Sequence, residues 1–169
     1  MDQSAIRLLE MLESVGPRVH ALFTKLTSRV DAAEDLLQEL FIKLLRSDGF
    51  AKAPNQEAYL IRSAIHLAFD WRKLNRKSIS LKESVKDPVH STISPIDDLI
   101  HAETVRAVLH ALDSLSDHDR ELICMRFLDD QPHEIIAKHY ETSVHQIRSK
   151  CSKAIARLRR VMGVEQVKS

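Results

Sequence analysis

The chain has 169 residues, room for one large domain or two small ones, with only 3 glycines and 5 prolines to make turns. So few turn formers, with aromatic residues at 5%, exclude a many-stranded sandwich or barrel and favour helix. A net charge of +1 offers no overall attraction to a polyanion, and two cysteines, Cys124 and Cys151, cannot build a disulfide framework.

Apolar residues recur at helical spacing from the start. Ile6, Leu8, Leu9, Leu12 and Val15 predict one helix stopped near Gly16-Pro17, and Val19, Leu22, Phe23 and Leu26 predict its successor. Ala33, Leu36, Leu37, Leu40, Phe41 and Leu44 form a stronger stripe, expected to end at a cap on Asp48-Gly49. After Pro54 a helix is expected over 56–75, with Tyr59, Leu60, Ala64, Leu67, Ala68 and Trp71 facing inward. The period then lapses. Residues 78–95 hold five serines and two prolines, the composition of a linker.

Helical spacing resumes at Ile96, Leu99 and Ile100 and continues through Val105, Val108, Leu109 and Leu112. Ser116 is a credible N-cap for a helix with Leu122, Ile123 and Phe127 facing in. Pro132 suits the first turn of a short helix over 133–140, and Ser143 caps a last one striped by Val144, Ile147, Cys151, Ala154, Ile155, Leu158 and Met162. The expectation is an all-α chain of two small helical domains on a flexible linker. Its parts are 1–77, the linker 78–95, a second domain 96–163 and a tail 164–169.

Charge is unevenly spread. Residues 1–50 carry net −2, residues 51–80 net +4, residues 81–135 net −7 and residues 136–169 net +6. Each basic block closes a helical half, and clustered Lys and Arg favour a nearby polyanion by releasing its counterions.

The pair of helices around Glu141-Thr142-Ser143 has the dimensions of a helix-turn-helix, although turns of this type often contain glycine where Glu141 stands. His145, Arg148, Ser149, Ser152 and Lys153 form an outward polar stripe on the second helix. Arg148 could read guanine or grip phosphate, while Lys150, Lys153 and Arg157 suit backbone contacts. Tyr59, Arg62, His66, Trp71, Arg72, Lys73, Arg76 and Lys77 interleave rings and cations, a combination that binds single-stranded nucleic acid. At least one of the two aromatics is expected in the core instead. Asp35, Gln38, Glu39, Ile42 and Arg46 make a mixed acidic stripe better suited to protein than to nucleic acid.

Three blocks in order, AEDLLQELFIKLL (33–45), NQEAYLIRSAIHLAFDWRK (55–73) and ALDSLSDHDRELICMRFLDDQPHEIIAKHYETSVHQIRSKCSKAIARLRR (111–160), resemble the extracytoplasmic-function group of bacterial sigma factors. The resemblance implies two helical sigma domains, the second and the fourth, and partners in core RNA polymerase and promoter DNA. It implies that Asp35, Gln38, Glu39 and Ile42 dock on the polymerase clamp helices. The 55–77 segment would open and capture the −10 element, and the last helix would read the −35 element with Arg148, Ser149, Ser152 and Lys153. It leaves an anti-sigma partner open. Many relatives have Arg-Asn where Ile65-His66 stands here, which leaves the −10 sequence undefined.

The rival readings are a two-domain helix-turn-helix regulator that binds promoters without serving as a sigma subunit, and a helical protein-interaction module. No nucleophile–base pair, phosphate loop or metal spacing supports an enzyme, a metal site or a cofactor; the nine histidines are scattered. Cys151 falls in an apolar stripe, where a small core role is favoured over redox sensing. No apolar run reaches ~20 residues and no secretory signal opens the chain, so a cytoplasmic protein without membrane insertion is expected.

Overall fold

The computed structural model describes residues 3–82 and 95–164, all in helices and short turns. The N-terminal unit contains α1 (Gln3–Thr27), α2 (Val30–Leu45), α3 (Asp48–Lys52) and α4 (Gln56–Lys82). The C-terminal unit contains α5 (Pro95–Asp113), α6 (Asp117–Ile123), which runs into a wide π-helical turn (Cys124–Leu128), α7 (His133–His139) and α8 (Val144–Val161). Most of the expected linker, 83–94, and the tail beyond 164 lie outside the described residues.

In the N-terminal unit α1, α2 and α4 pack together around Leu8, Leu22, Phe23, Leu26, Leu36, Leu40, Leu44, Leu60, Ile61 and Ile65, all at most 2% exposed. Each such side chain contributes roughly 1.5–3 kcal/mol of burial. The C-terminal core gathers Leu112, Leu122, Ile136, Ile147, Cys151 and Ala154, with α6 and α7 each packed on α8. The buried cluster is continuous from one unit into the other.

Several local expectations change. The helix expected to stop at Gly16-Pro17 continues through Pro17 as one element. Proline there cannot donate to the Glu13 carbonyl, but both residues are exposed, and Val15 and Val19 on either side are buried. Asp48-Gly49 is not a cap: α2 ends at Leu45, and α3 starts at Asp48 with Ser47 Oγ accepting from Phe50 N at 3.1 Å. Gly49 meets a different demand, because a Cβ there would lie 2.9 Å from Tyr59 Oη. The fourth helix outlasts its expected end and runs to Lys82. Along α5 the helix forms as expected, yet Ile96, Leu99 and Ile100 are exposed and only its last turns, with Leu109 and Leu112, are buried.

Phe127 was expected inside and is half exposed. The π turn explains it. Asp129 N donates to Cys124 O at 2.9 Å, five residues back, so one extra residue enters the turn and shifts the helical phase. Phe127 rotates outward beneath the Arg126 guanidinium, 5.5 Å from its ring centre.

Both expected serine caps form. Ser116 Oγ accepts from Asp119 N at 3.3 Å, and Ser143 Oγ accepts from Gln146 N at 3.2 Å. Between α7 and α8 the chain closes as a Schellman motif: Thr142 N donates to Ala137 O at 3.0 Å and Glu141 N to Lys138 O at 3.3 Å. Glu141 takes the left-handed conformation this requires, φ 50°. A glycine would adopt it without steric cost; the glutamate does not.

Candidate nucleic-acid interface

On α8 the buried stripe Ile147, Cys151, Ala154 and Leu158 locks the helix against its neighbours. The opposite side presents His145, Arg148, Lys150, Ser152, Lys153 and Arg157 to solvent, with Ser149 half-buried at the margin. Arg148 lies 3.6 Å from Glu134 of α7, both well exposed, a contact too loose and wet to hold it. Arg157 has a firmer partner. Its guanidinium donates to Asp119 Oδ2, a carboxylate whose side chain is only 8% exposed, so Arg157 also fastens α8 to α6.

On α4 one broad face buries Leu60, Ile61, Ala64, Ile65, Leu67, Ala68 and Phe69. Arg62, His66, Lys73, Arg76 and Lys77 are exposed, Tyr59 and Trp71 are half-buried, and Arg72 is buried. Tyr59 packs at 6.0 Å from the Phe50 ring, with its hydroxyl 3.1 Å from Ser47 Oγ. Trp71 packs on the core. Arg72 donates from Nε and Nη2 to Asp113 at 3.1 and 2.9 Å and from Nη1 to the Leu26 carbonyl at 2.9 Å. It ties α1, α4 and α5 together, and its side chain is only 8% exposed.

Arg62 and His66 are exposed but engaged. His66 Nε2 contacts Glu121 Oε1, Arg62 Nε is 3.5 Å from Glu121 Oε2, and the Arg62 guanidinium stands 5.3 Å above the Tyr140 ring. The Tyr140 hydroxyl donates to Glu121 as well, and burial, reinforced by this bond, drives the phenol pKa upward. Sequence reasoning missed Glu121, Asp113 and Asp129 as partners of the N-terminal unit. The signal available was the acidic block they belong to.

Asp129 has the most perturbed of these carboxylates. Its side chain is 1% exposed, and burial pushes its pKa up to about 6. Arg18 Nε lies 3.0 Å from Oδ1, but neither group is aligned for a hydrogen bond, so the pairing offsets burial only in part. His139 is buried too, with Nδ1 unpartnered, and burial lowers its pKa. Burial raises the pKa of the Cys124 and Cys151 thiols, which favours the protonated form of both. Among the described residues no three His, Cys, Asp or Glu side chains gather into a metal site, and no helix is long and apolar enough to cross a membrane.

The exposed stripe of α2, Asp35, Gln38, Glu39 and Ile42, stands opposite the buried Ala33, Leu36, Leu40 and Leu44. Ile42 is 49% exposed and Leu45 beyond it 45%, so the face combines acidic and apolar groups.

Two family descriptions match the chain, Sigma-70 region 2 over residues 11–78 and Sigma-70 region 4 over residues 111–160, together more than half of it. The chain belongs to the sigma-70 family. Region 2 covers most of α1 and all of α2 and α3 with the greater part of α4; region 4 covers α6, α7 and nearly all of α8. The ECF RNA polymerase sigma factor SigX of Bacillus subtilis (strain 168) is 26% identical over 138 residues, 76% of this chain and 70% of that protein. This sigma factor thus falls in the extracytoplasmic-function group, and its function is in transcription initiation. A solved structure of the sigma factor RpoE with the anti-sigma factor NepR from Bartonella quintana is similar at 23% identity and a TM-score of 0.48, over 93% of this chain and 97% of that one.

Proposed function

We propose that this sigma factor binds core RNA polymerase through the exposed α2 stripe Asp35, Gln38, Glu39 and Ile42, and directs it to promoters with two separate DNA surfaces. The basic side of α4 engages the opened −10 element; Arg62, His66, Lys73, Arg76 and Lys77 supply cations and donors, and Tyr59 and Trp71 supply rings at its ends. The outer stripe of α8, His145, Arg148, Ser149, Lys150, Ser152, Lys153 and Arg157, reads the −35 duplex. Arg72 takes a positioning role, since its guanidinium is consumed by Asp113 and Leu26.

The observation that carries this reading is the coincidence of both family regions, in order, with the two helices that bear the basic blocks. A groove-reading helix needs a rigid mount and a polar outer stripe near its start, and Ser143, the Schellman turn and the Ile147–Leu158 stripe supply them. Single-strand capture compensates unstacking with cations and rings, which α4 carries. Two weak sites on one chain reinforce each other through effective concentration. Bond-making belongs to the polymerase, and the site of action is the cytoplasm, where polymerase works. The domains are 1–77 and 96–163.

Purified core polymerase tests it directly. Adding this chain should confer initiation on a specific set of promoters, recoverable by sequencing the DNA retained by the reconstituted complex. Duplex binding without any affinity for core would favour the rival, a helix-turn-helix regulator that is not a sigma subunit.

A further inference from the structure

Among the described residues, the polar contacts between the two units share a direction. Arg18 lies 3.0 Å from Asp129, and Lys25 Nζ donates to the Leu128 carbonyl at 2.6 Å. Arg62 and His66 meet Glu121, and Arg72 grips Asp113. In each, the N-terminal unit supplies the nitrogen and the C-terminal unit the oxygen. One contact of another kind runs oppositely, the Arg120 guanidinium 4.4 Å over the Phe69 ring. The net −7 of residues 81–135 therefore has a structural destination: three of its carboxylates face the basic helix and its neighbour α1.

At Arg62 and His66 the match goes further than charge. Glu121 presents two carboxylate oxygens to them, as a phosphate would, and Tyr140 presents an aromatic face beneath the Arg62 guanidinium, as an unstacked base would. The Tyr140–Glu121 hydrogen bond holds oxygen and ring together as one rigid unit. We propose that Glu121 and Tyr140, flanked by Asp113 and Asp129, are an internal stand-in for single-stranded nucleic acid, which occupies α4 until the two units separate. The proposal rests on the assignment of α4 to the −10 strand.

The device is reversible by construction. The Arg62 and His66 side chains remain 48% and 46% exposed, so their contacts with Glu121 are wet and individually weak. Tethering favours them, because a strand must compete from solution against a partner on the same chain. The outer stripe of α8 is left uncovered. The closed chain thus covers part of its single-strand surface, at Arg62 and His66, while its duplex surface stays open, so the free protein holds a single strand more weakly than the opened chain does.

The test uses the full chain and two fluorescent probes, a single-stranded promoter-strand oligonucleotide and a duplex, with circular dichroism confirming unchanged helix content. Glu121→Gln keeps an acceptor for Tyr140 while removing the charge that faces Arg62 and His66; Asp113→Asn weakens closure from a separate contact and leaves Tyr140 and Glu121 intact. Each variant should bind the single strand roughly tenfold more tightly, the scale of one charge-assisted contact, and the duplex as before. Unchanged single-strand affinity in both would overturn the proposal. A parallel arm separates that failure from failure of the underlying assignment: Lys73→Glu/Lys77→Glu in the reconstituted holoenzyme should abolish promoter opening. Normal opening by that variant would sink the −10 assignment of α4 and the stand-in with it; lost opening, with unresponsive Glu121→Gln and Asp113→Asn, would sink only the stand-in.

Discussion

Replacing Asp129 by asparagine should flatten the dependence of stability on pH. The carboxyl ionises at about 6 in the folded chain against an ordinary 3.8, so between those values the folded state holds a proton that the unfolded state has lost. Its favourable contribution is complete below pH 3.8 and is lost as pH rises through 6. At about 1.4 kcal/mol per pKa unit the whole effect is about 3 kcal/mol. About half of that, roughly 1.5 kcal/mol, falls between pH 5 and pH 7.5. Urea unfolding followed by circular dichroism at those two pH values, for the native chain and Asp129→Asn, reads it out. The native chain should lose roughly 1.5 kcal/mol more than the variant over the interval. Arg18 keeps its 2.9 Å bond to Glu57 in the variant, so its charge is not stranded. Parallel pH curves for the two proteins would refute the claim that burial of this carboxylate outweighs its pairing with Arg18.

Glu141→Gly should stabilise the chain by about 0.5–1 kcal/mol in urea unfolding, because glycine adopts φ 50° without steric strain but costs more chain entropy. Gly49→Ala should destabilise by about 1–3 kcal/mol through the 2.9 Å approach to Tyr59 Oη, and adding Tyr59→Phe should recover part of the loss. Arg148→Ala should weaken −35 duplex binding by about 1–3 kcal/mol and relax sequence preference, measured by fluorescence anisotropy on matched and mismatched duplexes. Asp35→Lys and Glu39→Lys should each lower affinity for core polymerase with the melting curve unchanged; retained affinity in both would displace the docking face from α2.

Helical periodicity made most of the fold legible, because apolar spacing is a local property and each stripe buries where it points. Misreadings arose where context overrides a local signal. Pro17 interrupts one hydrogen bond on the exposed side of a helix whose buried side continues, and Gly49 is demanded by Tyr59, ten residues away, rather than by a cap. Phe127 turned out because a π turn changes the count per turn, which no apolar spacing announces. The α8 stripe was legible for the same local reason as the fold. Arg72 was not: it sits next to Lys73 in a run of cations, and only the positions of Leu26 and Asp113, 46 and 41 residues away, distinguish a buried tie from an exposed contact. The near-neutral total charge hid opposing surfaces that the structure brings face to face.

The π turn governs more than the orientation of Phe127. Its closing bond from Asp129 N to Cys124 O sets the azimuth at which residue 129 leaves the helix, and at that azimuth the carboxylate meets Arg18 of α1. Rewound as an ordinary α-helix with the same number of residues, at about 100° per residue, 124–128 would carry residue 129 further around the axis, away from α1. The winding of this short stretch therefore acts as a gauge. A chain of the same length whose helix stayed α-wound through these positions would turn its residue 129 away from Arg18 and lose an anchor between its halves.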